Sequence, residues 1–258
     1  VCFNCCGPCE KAFGRDRLDF KLDDNDWKNI FSQPGGLVYR CNCCTPMAFF
    51  CSRVVLAVVW LACCIWSIAE SSGAKWMIYL THWSAILQLL YLSFAAFSTF
   101  QAIYGNIEDG RKEATPWFVQ ATWVLGSMTP TVTLLVFLLY WVLVFEPSNG
   151  VVALSVVMHG VNFLLVLIDM MINRQPYYLA HAFMPLAFGI IYLVWTIIWW
   201  ATGNDTIYDA INWDDPTGTG KLVGILLVVG LPVMHILFVC IVLGRYRCRG
   251  TTTEVEDP

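Results

Sequence analysis

The sequence predicts an all-α membrane protein, a six-transmembrane-helix bundle with both N-terminus and C-terminus cytosolic, and three observations carry that prediction. Charged residues make up 13% of the 258 residues against 58% hydrophobic ones, where a soluble domain carries about a quarter charged. Six apolar stretches reach the roughly 20 residues that a helix needs to cross a bilayer at about 1.5 Å rise each. Lys and Arg are shared unequally between the connectors. Thirteen of the fifteen fall on one side: Lys11, Arg15, Arg17, Lys21, Lys28, Arg40, Arg53, Arg111, Lys112, Arg174, Arg245, Arg247 and Arg249. Lys75 and Lys221 fall on the other, and the positive-inside rule places the crowded side in the cytosol. The runs are too long for barrel strands and lack period-two alternation, which excludes a closed β-barrel. A net charge of −4 without a basic cluster offers nothing to nucleic acid.

Residues 1–46 read as a cytosolic, Cys-rich segment holding seven of the 12 cysteines. The first apolar stretch lies behind this charged segment, so it does not read as a signal peptide. Cys2, Cys5, Cys6 and Cys9 have zinc-ligand spacing, with Cys41 and Cys43 as a second pair. The competing reading is lipidation beside the bilayer, for which Cys41, Cys43, Cys44, Cys51 and Cys248 are placed. Cytosolic thiols stay reduced, which argues against stable disulfides. Between the cysteine groups, Leu18, Phe20, Leu22, Trp27, Ile30 and Phe31 suit a small amphipathic segment on the membrane surface. Asp23, Asp24, Asn25 and Asp26 lack the Gly and Glu of a calcium loop.

The six spans follow as 47–69, 76–104, 117–145, 151–172, 178–201 and 222–244, each bounded by charges or turn residues such as Pro147-Ser148-Asn149-Gly150, with a cytosolic tail at 245–258. Asn204 opens the sole glycosylation sequon, in the last lumenal loop, in agreement with the charge rule.

Polar residues inside a bilayer are costly and usually face the bundle interior. In the second span Thr81, Ser84, Gln88, Tyr91, Ala95 and Ser98 share one helical face, and in the fourth Ser155, His159, Asn162, Val166, Asp169 and Asn173 do. Two such stripes line a common interior, either as hydrogen-bonding glue or as a site. Counted from the lumenal ends, Thr81 lies about 7.5 Å deep and His159 about 12 Å, within side-chain reach of each other. A Thr hydroxyl needs a base to take its proton, and neutral imidazole can do so. Asp169, about 15 Å further along the helix, is too far to orient that ring. The expected arrangement is a dyad with Gln88 or Asn162 as donors to a developing oxyanion. Asp169 reads as an interfacial ion pair with Arg174, five residues on.

The stretch Lys75-Trp76-Met77-Ile78-Tyr79-Leu80-Thr81-His82-Trp83, continuing to Leu87-Gln88, resembles the second-helix motif of the rolling-stone family. A similar Tyr-Leu-Thr core occurs in the distantly similar androgen-induced family of membrane hydrolases. Met158-His159-Gly160-Val161-Asn162, with Leu165 to Asp169, resembles the fourth-helix motif of both. Ile207-Tyr208 to Asn212-Trp213, with the following acidic pair and Pro216, resembles the last lumenal loop of rolling-stone proteins. The resemblance implies two things. Rolling-stone proteins are associated with myoblast fusion, and the androgen-induced relatives are intramembrane threonine hydrolases of fatty acid esters, whose catalytic Thr and His match Thr81 and His159. The Cys-rich N-terminus and the acidic loop depart from the hydrolase pattern.

Two function classes follow: a lipid-ester hydrolase, or a non-enzymatic protein for cell fusion, adhesion or assembly with membrane-protein partners. Membrane lipids are the expected small-molecule partners, no cofactor is expected, and the plasma membrane and endoplasmic reticulum both fit. His82, His159, His181 and His235 lie on four spans, but their depths and facings do not match for axial haem ligation, with His82 turned towards lipid. No span is visibly broken and no ring of charge appears, which disfavours a channel or transporter.

Overall fold

Two Pro residues mark where membrane helices begin, because each follows a side chain that can cap the first turn. The computed structural model describes residues 26–35, 45–71, 73, 75–105 and 115–247. In it, Thr45 precedes Pro46 and its hydroxyl accepts from the Ala48 amide at 3.2 Å. Asp215 precedes Pro216 and its carboxylate accepts from the Gly218 amide at 3.1 Å. The last helix therefore starts at Pro216, ahead of the apolar run at Leu222.

A short helix, α1 (Asp26–Ser32), precedes six helices long and apolar enough to cross a membrane. These are α2 (Pro46–Glu70), α3 (Leu80–Tyr104), α4 (Trp117–Val144), α5 (Ala153–Ile172), α6 (Leu179–Ala201) and α7 (Pro216–Arg245). A single 3₁₀ turn, Trp76–Ile78, leads into α3. Among the described residues there is no strand beyond an isolated bridge between Tyr208 and Ile211. The protein is thus an integral, multi-pass, all-helical membrane protein. Exposed Val55, Ile65, Val142, Ile191 and Val228 stud the outer faces, as lipid-facing positions should.

The centre of the bundle is α4, half of whose apolar window is buried. It packs against α3, α5, α6 and α7. Its interior is polar for a central helix: Thr122, Ser127, Thr129, Thr131 and Thr133 are all fully buried. Thr129 and Thr133 are satisfied at home, by the Leu125 carbonyl at 2.7 Å and the Thr129 carbonyl at 2.9 Å, whereas Ser127 and Thr131 reach across to His181 and Tyr177 at 3.1 and 2.9 Å. This is how a Thr-rich helix is tolerated where no water reaches. Small residues let partners approach closely, and a Cβ on Gly126 would stand 2.2 Å from the Gln175 side chain.

Three spans are locally underwound, contrary to the expectation of unbroken helices. The π-helical turns are Tyr140–Val144 in α4, Val156–Val161 in α5 and Leu226–Gly230 in α7. Hydropathy cannot reveal them, since a π turn keeps the same apolar composition and changes the winding alone.

The amphipathic segment expected on the membrane surface is, in its described part, inside the protein. Trp27 and Phe31 of α1 are buried against Phe118 and Val119 of α4. The residues that follow are tied to the same end of the bundle: Gly35 N donates to the Ile172 carbonyl at 2.6 Å, and Arg174 Nε donates to the Pro34 carbonyl at 2.8 Å. Protein contact supplies the apolar surroundings that lipid was expected to provide. Leu18, Phe20, Leu22, the cysteines at 2, 5, 6, 9, 41, 43 and 44, and Cys248 lie outside the described residues.

Candidate active site

At the end of the bundle opposite Arg53, the 3₁₀ turn delivers Thr81 to the first turn of α3. His159 comes from the π turn of α5. The Thr81 hydroxyl lies 3.1 Å from His159 Nε2. His159 Nδ1 lies 2.8 Å from the Ser155 carbonyl. A carbonyl can accept but not donate, so Nδ1 carries the ring proton and Nε2 presents its lone pair to the threonine. Tyr140, from the π turn of α4, stacks on the imidazole with centroids 3.6 Å apart and planes 7° from parallel. The ring is held from the side and from below.

The pair opens onto a cavity of about 420 Å³, within the roughly 300–1,000 Å³ common for small-molecule sites. Its walls are largely aliphatic, including Leu135, Leu139, Leu154, Met158, Leu226 and Leu227. All three π turns contribute lining residues: Tyr140, His159 and Leu226 respectively. A π turn widens the helix and redirects side chains locally, and all three such turns gather around one site.

The connector between α6 and α7 caps this cavity with Ile207, Tyr208, Ala210 and Ile211. It is pinned by indoles: Trp213 Nε1 donates to Thr196 Oγ1 at 3.2 Å, Trp199 Nε1 to the Asp205 carbonyl at 3.1 Å, and Trp200 Nε1 to Asp214 at 3.1 Å. Asn204 is exposed in this connector, with its amide donating to the Trp199 carbonyl at 3.1 Å. Tyr208 accepts a hydrogen bond from the Leu80 amide at 3.0 Å. Burial pushes its phenol above the usual tyrosine range, so it keeps its proton. Tyr208 belongs to the lumenal-loop motif, and helical periodicity does not point to it as a residue of the cavity wall. The overlooked signal was a lone aromatic hydroxyl in an otherwise acidic loop.

His82 does not face lipid. Its ring stacks on Trp76 at 4.2 Å, its Nδ1 meets the Trp76 carbonyl, and its Nε2 lies 3.4 Å from Ser67 Oγ on α2. It lines the cavity because the 3₁₀ turn folds Trp76 back over the head of α3. Ser67 and His82 form a second hydroxyl–imidazole pair, longer than the first and covered by the Trp76 indole, which donates to Ser67 at 3.1 Å.

Gln88 and Asn162 lie deeper, and neither is part of the cavity wall. Both are fully buried, and Asn162 Nδ2 donates to Ser84 Oγ at 3.4 Å. Further along, Asp169 is paired with Arg53 at 3.3 Å instead of with Arg174. Tyr91 and Asn173 donate to the same carboxylate at 2.5 and 2.9 Å, and Arg53 also donates to Thr99 at 2.8 Å. Residue 174 follows the end of α5 and turns outward to Pro34, whereas Arg53 reaches inward from α2. His181 and His235 are held by Ser127 and by the Tyr178 carbonyl. Among the described residues, no three His, Cys, Asp or Glu side chains gather into a group that could hold a metal ion.

No solved structure matches the chain. Over 201 residues it is 22% identical to the Protein rolling stone of Drosophila melanogaster, covering 70% of each sequence. The family described as Protein rolling stone matches residues 41–253. That match takes in all six membrane helices, the dyad and the capping loop, and the chain belongs to the rolling-stone family.

Proposed function

We propose that this chain is an intramembrane threonine hydrolase of fatty acid esters, acting in lipid metabolism. The observation that carries this reading is the 3.1 Å approach of Thr81 Oγ1 to a His159 Nε2 whose tautomer is set by the Ser155 carbonyl, at the edge of an aliphatic cavity. A neutral imidazole with its lone pair on a hydroxyl is the arrangement that makes a weak alcohol nucleophilic.

In this mechanism the ester enters from the bilayer with its acyl chain along the aliphatic wall. Thr81 Oγ1 attacks the carbonyl carbon as its proton passes to His159 Nε2. The tetrahedral species collapses, and the departing alkoxide takes the proton from the imidazolium. A water molecule then gives its proton to Nε2 and attacks the acyl-threonine, releasing the fatty acid and restoring Thr81. With the Arg-crowded end in the cytosol, the dyad faces the lumenal half of the membrane.

The test is activity-based labelling of the full chain in detergent. Wild type reacts with a long-chain fluorophosphonate, and Thr81→Ala and His159→Ala do not. Equal labelling of wild type and both variants would overturn the reading. Recovery of a stable partner from native membranes, with no turnover of any lipid ester, would then favour the fusion or assembly role.

A further inference from the structure

Within the hydrolase reading just given, on which this inference rests, the site lacks a named donor for the charge that develops on the ester oxygen. Gln88 and Asn162 are remote from the cavity wall. We infer that Tyr208, carried in by the α6–α7 connector, is the oxyanion donor of this site.

The partners around its oxygen limit what its proton can do. The Leu80 amide donates to the Tyr208 oxygen at 3.0 Å, so that oxygen is an acceptor there and its own hydrogen must point elsewhere. That bond holds the hydroxyl beside Thr81, the residue after Leu80, and Tyr208, Thr81 and Tyr192 all line the same cavity. Tyr192 directs its own hydrogen to the Ile78 carbonyl at 2.9 Å, and Thr81 directs its hydrogen to His159. With the Leu80 amide, the Tyr192 hydroxyl and the Thr81 hydroxyl already committed, the Tyr208 hydroxyl is left to donate into the cavity beside the nucleophile. A donor that itself accepts from a backbone amide is polarised into a stronger donor.

The step balances as follows. The Oγ1–carbon bond forms with the oxygen's lone pair, the Thr81 proton moves to Nε2, and the carbonyl π pair moves onto the ester oxygen. The Tyr208 hydroxyl, held in place by the Leu80 amide, donates to that new oxyanion and remains protonated throughout. Collapse returns the pair to the carbonyl and expels the alkoxide with the imidazolium proton. The position also explains why the connector is pinned by three tryptophans: preorganised donors contribute most when they cannot move.

The experiment compares wild type and Tyr208→Phe for displacement of a fluorescent fatty acid by two ketones of one chain length. A trifluoromethyl ketone adds to Thr81 and forms an oxyanion, whereas the methyl ketone does not. Removing one oxyanion donor costs about 100-fold, so Tyr208→Phe should lose affinity for the trifluoromethyl ketone by that order and keep its affinity for the methyl ketone. Equal loss for both ketones would mean a packing role and overturn the inference, as would no loss for either. A wild type that does not prefer the trifluoromethyl ketone would overturn the hydrolase reading itself, and this inference with it.

Discussion

Arg53 and Asp169 lie 116 residues apart in the chain and meet with side chains 1% and 0% exposed. Neither charge could be left alone at that depth, since breaking a buried pair strands the survivor without water. The surroundings meet both ions, with Tyr91 and Asn173 donating to the carboxylate, Thr99 and the Ala95 carbonyl accepting from Arg53, and Phe49 under the guanidinium at 4.6 Å. Arg53 Nη2 has no hydrogen-bond partner among the described residues. Asp169→Ala should cost about 3–5 kcal/mol, read as a large drop in melting temperature in detergent, whereas Tyr91→Phe, which removes a donor to that carboxylate, should cost about 1.5–3 kcal/mol. The polar stripes made Asp169 conspicuous in the sequence. Its partner was hidden, because Arg53 sits in an apolar run where a flanking cation also fits. Thr81 and His159 were legible together because depth along two helices can be counted from their ends. His82 was misjudged because the fold-back of Trp76 obeys no helical period.

At the scale of elements, winding decides where side chains point. The π turn of α5 holds the ring of His159 against Tyr140 and towards Thr81. Deleting Val157 should remove the extra residue of the π turn and restore α-helical winding with the flanking parts of α5 still in phase, so that His159 is turned off its direction towards Thr81. Fluorophosphonate labelling should then disappear from protein that still extracts as a folded monodisperse species. The capped starts make a milder prediction. Asp215→Ala should cost about 1 kcal/mol, seen as faster amide exchange at Gly218 and a small fall in melting temperature. Both caps have a sequence signature, Thr45-Pro46 and Asp215-Pro216, but the spans were placed by their apolar runs, which put the start of α7 at Leu222 instead of Pro216. The π turns were not legible, because the competing α-helical winding satisfies the same hydrophobic pattern.

For the whole molecule, Tyr208 caps the cavity and Tyr177 joins α4 to the connector between α5 and α6, donating to the Ser127 carbonyl at 3.0 Å. Burial pushes both phenols above the ordinary value of 10.0. Because the folded pKa values are raised, the stability gained by keeping these groups neutral is full below about pH 10 and is lost as pH climbs towards the folded values. Melting temperature in detergent should be level with respect to these groups up to that pH and fall beyond it. The fall should flatten in Tyr177→Phe and in Tyr208→Phe. The composition alone determined that the chain is a helical multi-pass membrane protein, because a bilayer accepts a backbone only when its hydrogen bonds are closed within each span. Periodicity further determined which faces of α3 and α5 turn inward, since polar groups cannot rest against lipid. What only the tertiary structure decided is which inward groups meet: Asp169 with Arg53, His82 with Ser67, and Tyr208 with the head of α3. Those pairings depend on helix rotation, π winding and the path of a loop, and none of the three leaves a period in the sequence.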